Sequence, residues 1–302
     1  MSPDQNENAL KMLLKLPGHE KDLGGGFRVS RLLPAFGRRS VGPFVFMDHF
    51  GPITLTPDMN TDVRPHPHIG LATVTYLFEG AIMHRDSLGS TQRIEPGAIN
   101  WMSAGRGIVH SERAPEDLRT VSHALHGLQL WVGLPQSLED SAPTFTHTPG
   151  DQLIPFLHQG TEVRVLVGEA FGRASAVKAA SPTLFLALRL QAGTSFALPA
   201  LAAESAVYPI DADITVDGTA LAVHTLGFLQ NAGGCRLEAA NDCTVVIIGG
   251  APLDGPRFLL WNFVSSDKSR LRQAAEDWRE QRMGAVPGDP EFIPLPANLP
   301  SL

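Results

Sequence analysis

Cysteine is scarce. The 302-residue chain has only Cys235 and Cys243, too few for a disulfide framework and at a spacing that fits no zinc motif. They read as free thiols in a reducing compartment. Long apolar runs are missing too: nothing approaches the ~18 consecutive apolar residues that cross a bilayer. The N-terminal MSPDQNENALKMLLKLPG lacks the basic-then-apolar order of a signal peptide. A soluble, cytoplasmic protein without a membrane partner is expected. Basic residues are in deficit, 24 against 31 acidic, for a net charge of −7. That balance, with no basic cluster, argues against direct nucleic-acid binding. No Gly-x-Ser-x-Gly elbow, phosphate-cradling loop or dinucleotide fingerprint occurs, so hydrolase, kinase and nicotinamide readings have no footing.

What the chain does contain is β pattern. Leu71–Phe78 (LATVTYLF) is rich in β-branched and aromatic residues and stops at Glu79-Gly80. Strands are expected over Pro43–Phe50, Ala81–Arg85, Ser90–Ile94, Ala98–Met102, Ile108–Arg113 and Leu125–Leu134. In the second half they are expected over Glu162–Val167, Thr183–Leu190, Ser205–Ile210, Asp213–Val216, Thr219–Val223, Gly227–Asn231 and Cys243–Ile248. Turn dipeptides such as Pro96-Gly97 and Asp217-Gly218 separate them. Short strands at this spacing form sandwiches or barrels rather than βαβ sheets. Length and a 43% hydrophobic content suit two cores. Polar, proline-bearing Pro135–Gly160 divides them into a first domain over 19–137, a linker over 138–160 and a second domain over 161–296. Short matches, Tyr76-Leu-Phe-Glu-Gly with Tyr208-Pro-Ile-Asp-Ala among them, make the halves diverged copies of one plan.

Helical signals are few. Ala9–Leu16 could form two turns, too short to be stable alone. Leu271, Ala274, Ala275 and Trp278 fall at i, i+3, i+4 and i+7, with Ser266 as N-cap and Gly284 beyond the end. They predict a helix over 266–282 in the second domain, followed by a proline-rich tail along a surface.

Chemistry concentrates in Arg64–Pro115. His66-Pro67-His68 and His110-Ser111-Glu112 are i, i+2 pairs, and in a strand such residues share a face. Converged, three imidazoles and a carboxylate would make a metal site with open positions. Imidazole suits zinc, copper, iron and nickel, while the carboxylate tilts the set toward Fe(II) or Mn(II), and Zn, Ni, Co or Cu could compete. His84, with Asp86, could orient a ligand imidazole from a second shell. Asp48 could line the cavity mouth beside His49, and Arg106 could reach an anionic substrate. His123 and His126 read as structural. The second half has no comparable pair.

These residues resemble a known family. RPHPHIGLATVTYLFEG, PGAINWMSAGRGIVHSE, HGLQLWV, VGPFVFMDHFGP and LLWNFVSSDKSRL look like the pirin family of the cupin superfamily, from about Gly24 to Pro296. Ordinary cupins carry a glutamate after three or four residues beyond His-x-His, where this chain has Ala72 and Thr73; here, as in pirins, the carboxylate is Glu112. The resemblance implies an all-β bicupin: two double-stranded β-helix (jelly-roll) barrels with a C-terminal α-helix. It implies Fe(II) held by His66, His68, His110 and Glu112 in the first barrel and a metal-free second barrel. The activity implied is that of a quercetin 2,3-dioxygenase, opening the flavonol heterocycle with O2, with Glu112 as catalytic base. The alternative is a non-catalytic, redox-responsive iron-binding regulator of a transcription factor or metabolic enzyme. A monomer is expected.

Overall fold

A computed structural model describes residues 13–22, 27–229 and 234–299. The chain forms two compact units. Of the described residues, one takes those as far as His19, then Leu32–Phe44 and Leu153–Pro252; the other takes Glu20–Arg31, Val45–Gln152 and those from Leu253 onward. Both are cupin-type β barrels. Each unit is thus stitched from three separate pieces of chain, not one continuous stretch.

In the unit that carries the histidine pairs, a four-stranded sheet runs in the order Val63–His68, Ile108–Arg113, Ile82–Asp86, Thr91–Ile94. The second sheet has seven strands: Thr144–Thr148, Ile99–Ser103, Leu71–Glu79, His123–Gly133, Phe44–Leu55, Arg28–Leu33 and His19–Asp22. The first is called the short sheet below, the second the long sheet. Leu71–Glu79 lies in the middle of the long sheet, which explains why its apolar and β-branched residues are buried on both faces.

The other unit has its own seven-stranded sheet, in which Thr183–Leu190 appears with the expected bounds, and a four-stranded sheet of Ser195–Leu198, Cys235–Ala239, Ile214–Val216 and Thr219–Leu221. Its interior is filled by Val163, Leu186, Leu188, Phe196, Val207, Leu237 and Val245. Cys235 and Cys243 form no disulfide, and burial pushes the Cys243 thiol up to about 11, leaving it an unreactive protonated group.

Several expectations are corrected. Leu13–Pro17 is a strand paired with Thr225–Leu229, not helical. An eight-residue segment cannot cover the cost of helix nucleation, whereas edge pairing satisfies its backbone and buries Leu16. Residues 9–12 of that segment, and Gly24-Gly25-Gly26, lie outside the described residues. The expected linker, 138–160, contains the passage between units at Gln152, yet it also holds the strand Thr144–Thr148, registered on Ile99–Ser103. The helix spans Lys268–Arg279, and Asp267 rather than Ser266 caps it, its side chain accepting from the Ser269 amide at 2.7 Å. Ser266 is instead held by Glu139, which accepts from its amide at 2.9 Å. Chain position alone puts the helix in the second domain. Its buried face of Leu271, Ala274, Ala275 and Trp278 instead packs with Ile69, Val109 and Phe263, in the unit of the histidine pairs. Apolar area decides where a helix docks, and that face finds its cover there.

Candidate metal centre

The short sheet brings the two histidine pairs together. His110 stands opposite His66, and Ile108 opposite His68. Because residues two apart share a face, all three imidazoles project from the same side. Pro67 interrupts nothing essential, since Val63–His68 is an edge strand where a missing amide is tolerated. His68 and His110 Nε2 atoms lie 3.1 Å apart. The His66 ring centroid is 4.4 Å from that of His110 and 5.0 Å from that of His68. His66, His68 and His110 each offer a ligand atom within 4.8 Å of the others.

The outer nitrogens are anchored. His66 Nδ1 donates to the Arg64 carbonyl at 2.9 Å, and His68 Nδ1 to the Asn262 carbonyl at 3.0 Å. A carbonyl only accepts, so in both rings the proton sits on Nδ1 and Nε2 presents a lone pair. His110 Nδ1 lies 3.4 Å from His84 Nδ1, and His84 Nε2 lies 3.0 Å from Asp86 Oδ2. Burial pushes the His66 imidazole down to about 4. Burial and the neighbouring imidazoles push His68 and His110 well below their ordinary value. The trio is therefore neutral at pH 7, as metal ligation requires. Two imidazoles each about 2.1 Å from one ion, at a right angle, would hold their nitrogens about 3 Å apart, which the His68–His110 spacing fits.

Glu112 follows His110 on the same face, but a register irregularity intervenes: Glu112 is opposite Val63 on one side and His84 on the other. Its Oε1 lies 3.4 Å from Thr75 Oγ1 on the long sheet. Burial raises its carboxyl above the ordinary value. The long sheet meets the imidazoles with two rows of side chains. Phe145, Met102, Thr73 and Trp131 stand opposite one another across four strands, and His147, Asn100, Thr75 and Gln129 form the next row. Trp131 packs edge-on to His68 at 5.1 Å and Phe145 stacks on His84 at 4.2 Å. Thr75 Oγ1 donates to Gln129 Oε1 at 2.9 Å, and His147 Nδ1 to Asn100 Oδ1 at 2.7 Å.

Of the three residues expected around the ligands, His84 touches one of the three imidazoles. Asp48 and Arg106 do not. Asp48 is buried in a two-pronged ion pair with Arg31, both contacts 2.8 Å. The Arg106 side chain is exposed and its amide donates to the Ser141 carbonyl at 2.9 Å. His126, with His49, forms a second buried pair, Nε2 to Nε2 at 2.7 Å.

The chain matches the pirin family model over residues 26–132 and the pirin C-terminal cupin domain over 185–284. A pirin-like protein of Caulobacter vibrioides is 45% identical over 94% of this chain and 99% of its own length. The chain belongs to the pirin family. Pirin of Mus musculus is 31% identical over 91% of this chain and 94% of its own. A crystal structure of quercetin 2,3-dioxygenase from Acinetobacter baumannii superimposes with a TM-score of 0.89 at 33% identity, covering 96% of this chain and 97% of that one. Sequence reasoning missed Asn262, Thr75, Gln129, Asn100 and His147. Only the alternation of Thr73 and Thr75 within an apolar strand hinted at a polar inner row.

Proposed function

We propose that this protein is a metal-dependent dioxygenase acting with O2 on a flavonol-like substrate. In this reading His66, His68 and His110, with Glu112 as fourth ligand, hold Fe(II). The carrying observation is the buried neutral trio: three imidazoles, two of them tied outward at Nδ1 to carbonyls, with no acidic salt-bridge partner among the described residues. The likeness to a quercetin 2,3-dioxygenase over nearly the whole chain supports the substrate class.

A bound Fe(II) would supply Lewis acidity toward a substrate hydroxyl and redox chemistry toward O2. The chain's own residues supply the rest. Glu112, its carboxyl raised by burial, is poised to accept the proton of the flavonol 3-hydroxyl. Thr75 holds Gln129 in place beside it. Gln129 and Asn100, in the same inner row, bring side-chain amides that can donate to substrate oxygens. Trp131 and Phe46, stacked at 4.0 Å, give an apolar wall that keeps water from the reacting face.

The test is O2 uptake and CO release by anaerobically iron-loaded protein given quercetin, with His110→Ala as control. Turnover no faster than the control sinks the dioxygenase reading. If iron is still bound in that case, the non-catalytic alternative, a metal-dependent binder of a protein partner, takes its place.

A further inference from the structure

Each imidazole of the trio is held at its outer nitrogen, but not by the same kind of group. His66 and His68 face backbone carbonyls, which fix the proton on Nδ1 unconditionally. His110 faces another imidazole nitrogen, His84 Nδ1 at 3.4 Å. Either ring could donate across that contact. Were His84 the donor, the His110 proton would sit on Nε2 and the ring could not ligate a metal.

The decision is made on the far side of His84. Its Nε2 lies 3.0 Å from Asp86 Oδ2, and an ionised carboxylate can only accept. Asp86 is fixed in turn, its Oδ1 accepting from the Leu88 amide at 2.9 Å and the Ser90 amide at 3.0 Å. Burial alone would raise its carboxyl, but the hydrogen bonds from His84 and Ser90 outweigh that and hold it below its ordinary value. Asp86 is fully buried and His84 nearly so, leaving no water to substitute for either partner. Phe145 lies parallel to the His84 ring, 9° between planes, and fixes its orientation. The turn that carries Asp86 is latched beside His110: the Ser87 amide donates to the Val109 carbonyl at 2.8 Å, and the Val109 amide to Ser87 Oγ at 3.1 Å.

We propose that Asp86, acting through His84, sets the tautomer and orientation of His110 and so completes the three-nitrogen metal site. The proton runs one way: His84 Nε2–H to Asp86, and His110 Nδ1–H to His84. Asp86 and His84 are positioning residues, and the inference rests on the metal-binding reading above. Asp86→Asn keeps an acceptor for the turn but can present an N–H to His84 Nε2, which reverses the chain. His84→Phe keeps the ring against Phe145 and removes both nitrogens.

Two measurements on the full chain test this. Long-range ¹⁵N–¹H NMR of the metal-free wild type should show His84 protonated at Nε2, and Asp86→Asn should move that proton to Nδ1; with Zn(II) bound, wild-type His110 should carry its proton on Nδ1. Co(II) titration, followed in the visible spectrum, should show a 10–100-fold weaker Kd and an altered ligand-field band in both variants, the usual cost of losing an outer-shell partner. A His84 proton on Nδ1 in the wild type overturns the proposal without any variant having to fold. So does an unchanged Co(II) affinity in folded His84→Phe when the wild type binds. A wild type that binds no Co(II) at all removes the metal reading itself, and this proposal with it.

Discussion

Three imidazoles buried side by side can stay in a barrel only uncharged, because a buried cation without a partner costs several kcal/mol. This makes the metal-free protein acid-sensitive in a defined window. His66 is held at about 4 in the folded state, against about 6.5 when unfolded. Above pH 6.5 neither state binds the proton; as pH falls from 6.5 to 4 the unfolded state binds it first. Stability is therefore full above 6.5 and declines toward 4, by roughly 3 kcal/mol for His66 alone. Urea unfolding of metal-free protein at pH 7 and pH 4.5 should show the loss, and His66→Phe should reduce it. Glu112 is raised by the same burial, which strengthens it as a base. Glu112→Gln keeps its shape but not its basicity and should lower quercetin turnover at saturating iron by about 100-fold or more.

The element that decides the site's geometry from outside the two motifs is the C-terminal segment. Phe258–Leu260 and Phe263–Ser265 form a hairpin whose turn places the Asn262 carbonyl on His68, and Val264 donates its amide to the Ile69 carbonyl at 3.2 Å. Gly70 makes this approach possible. At φ +67° a Cβ there would lie 2.0 Å from the Val264 carbonyl oxygen. Gly70→Ala should cost at least about 2 kcal/mol, from left-handed strain plus the clash, and weaken metal binding by displacing Asn262. Denaturant melts and a metal titration read the two effects separately. Glu139 ties down the same segment. It is buried, forms an ion pair with Arg257 Nε at 2.9 Å, and accepts from Arg270 Nη1 at 3.2 Å and Ser265 Oγ at 2.8 Å. Glu139→Ala removes the buried partner of Arg257, whose side chain is 1% exposed, and leaves it only the half-exposed Asp254; it should cost about 3 kcal/mol in urea unfolding.

At the scale of the whole molecule, two cupin barrels divide the work. One presents imidazole and carboxylate to its interior; the other fills its interior with leucine, valine and phenylalanine. Among the described residues, the His66, His68 and His110 group is the one cluster of potential metal ligands. Metal analysis of loaded protein should give one ion per chain, falling to none in His68→Ala, His110→Ala. Two ions per chain in the wild type would contradict this division.

The sequence by itself determined the class of fold and the three imidazoles. Both are local matters: strand periodicity of two puts His66 beside His68 and drives alternate side chains inward, and turn residues cut the strands to length. It also carried the resemblance that the family match bears out. Tertiary structure alone decided what surrounds those residues. The helix is legible as a helix, but its docking on Ile69 and Val109 depends on which surface lacks cover. The Asn262 carbonyl reaches His68 across 194 positions of chain, and a backbone oxygen carries no signal in residue type. Asp48 is drawn to Arg31, since a buried carboxylate must find its cation wherever the sheet puts one. The proton chain from Asp86 through His84 to His110 needs three strand residues in register, which pairing fixes and spacing does not.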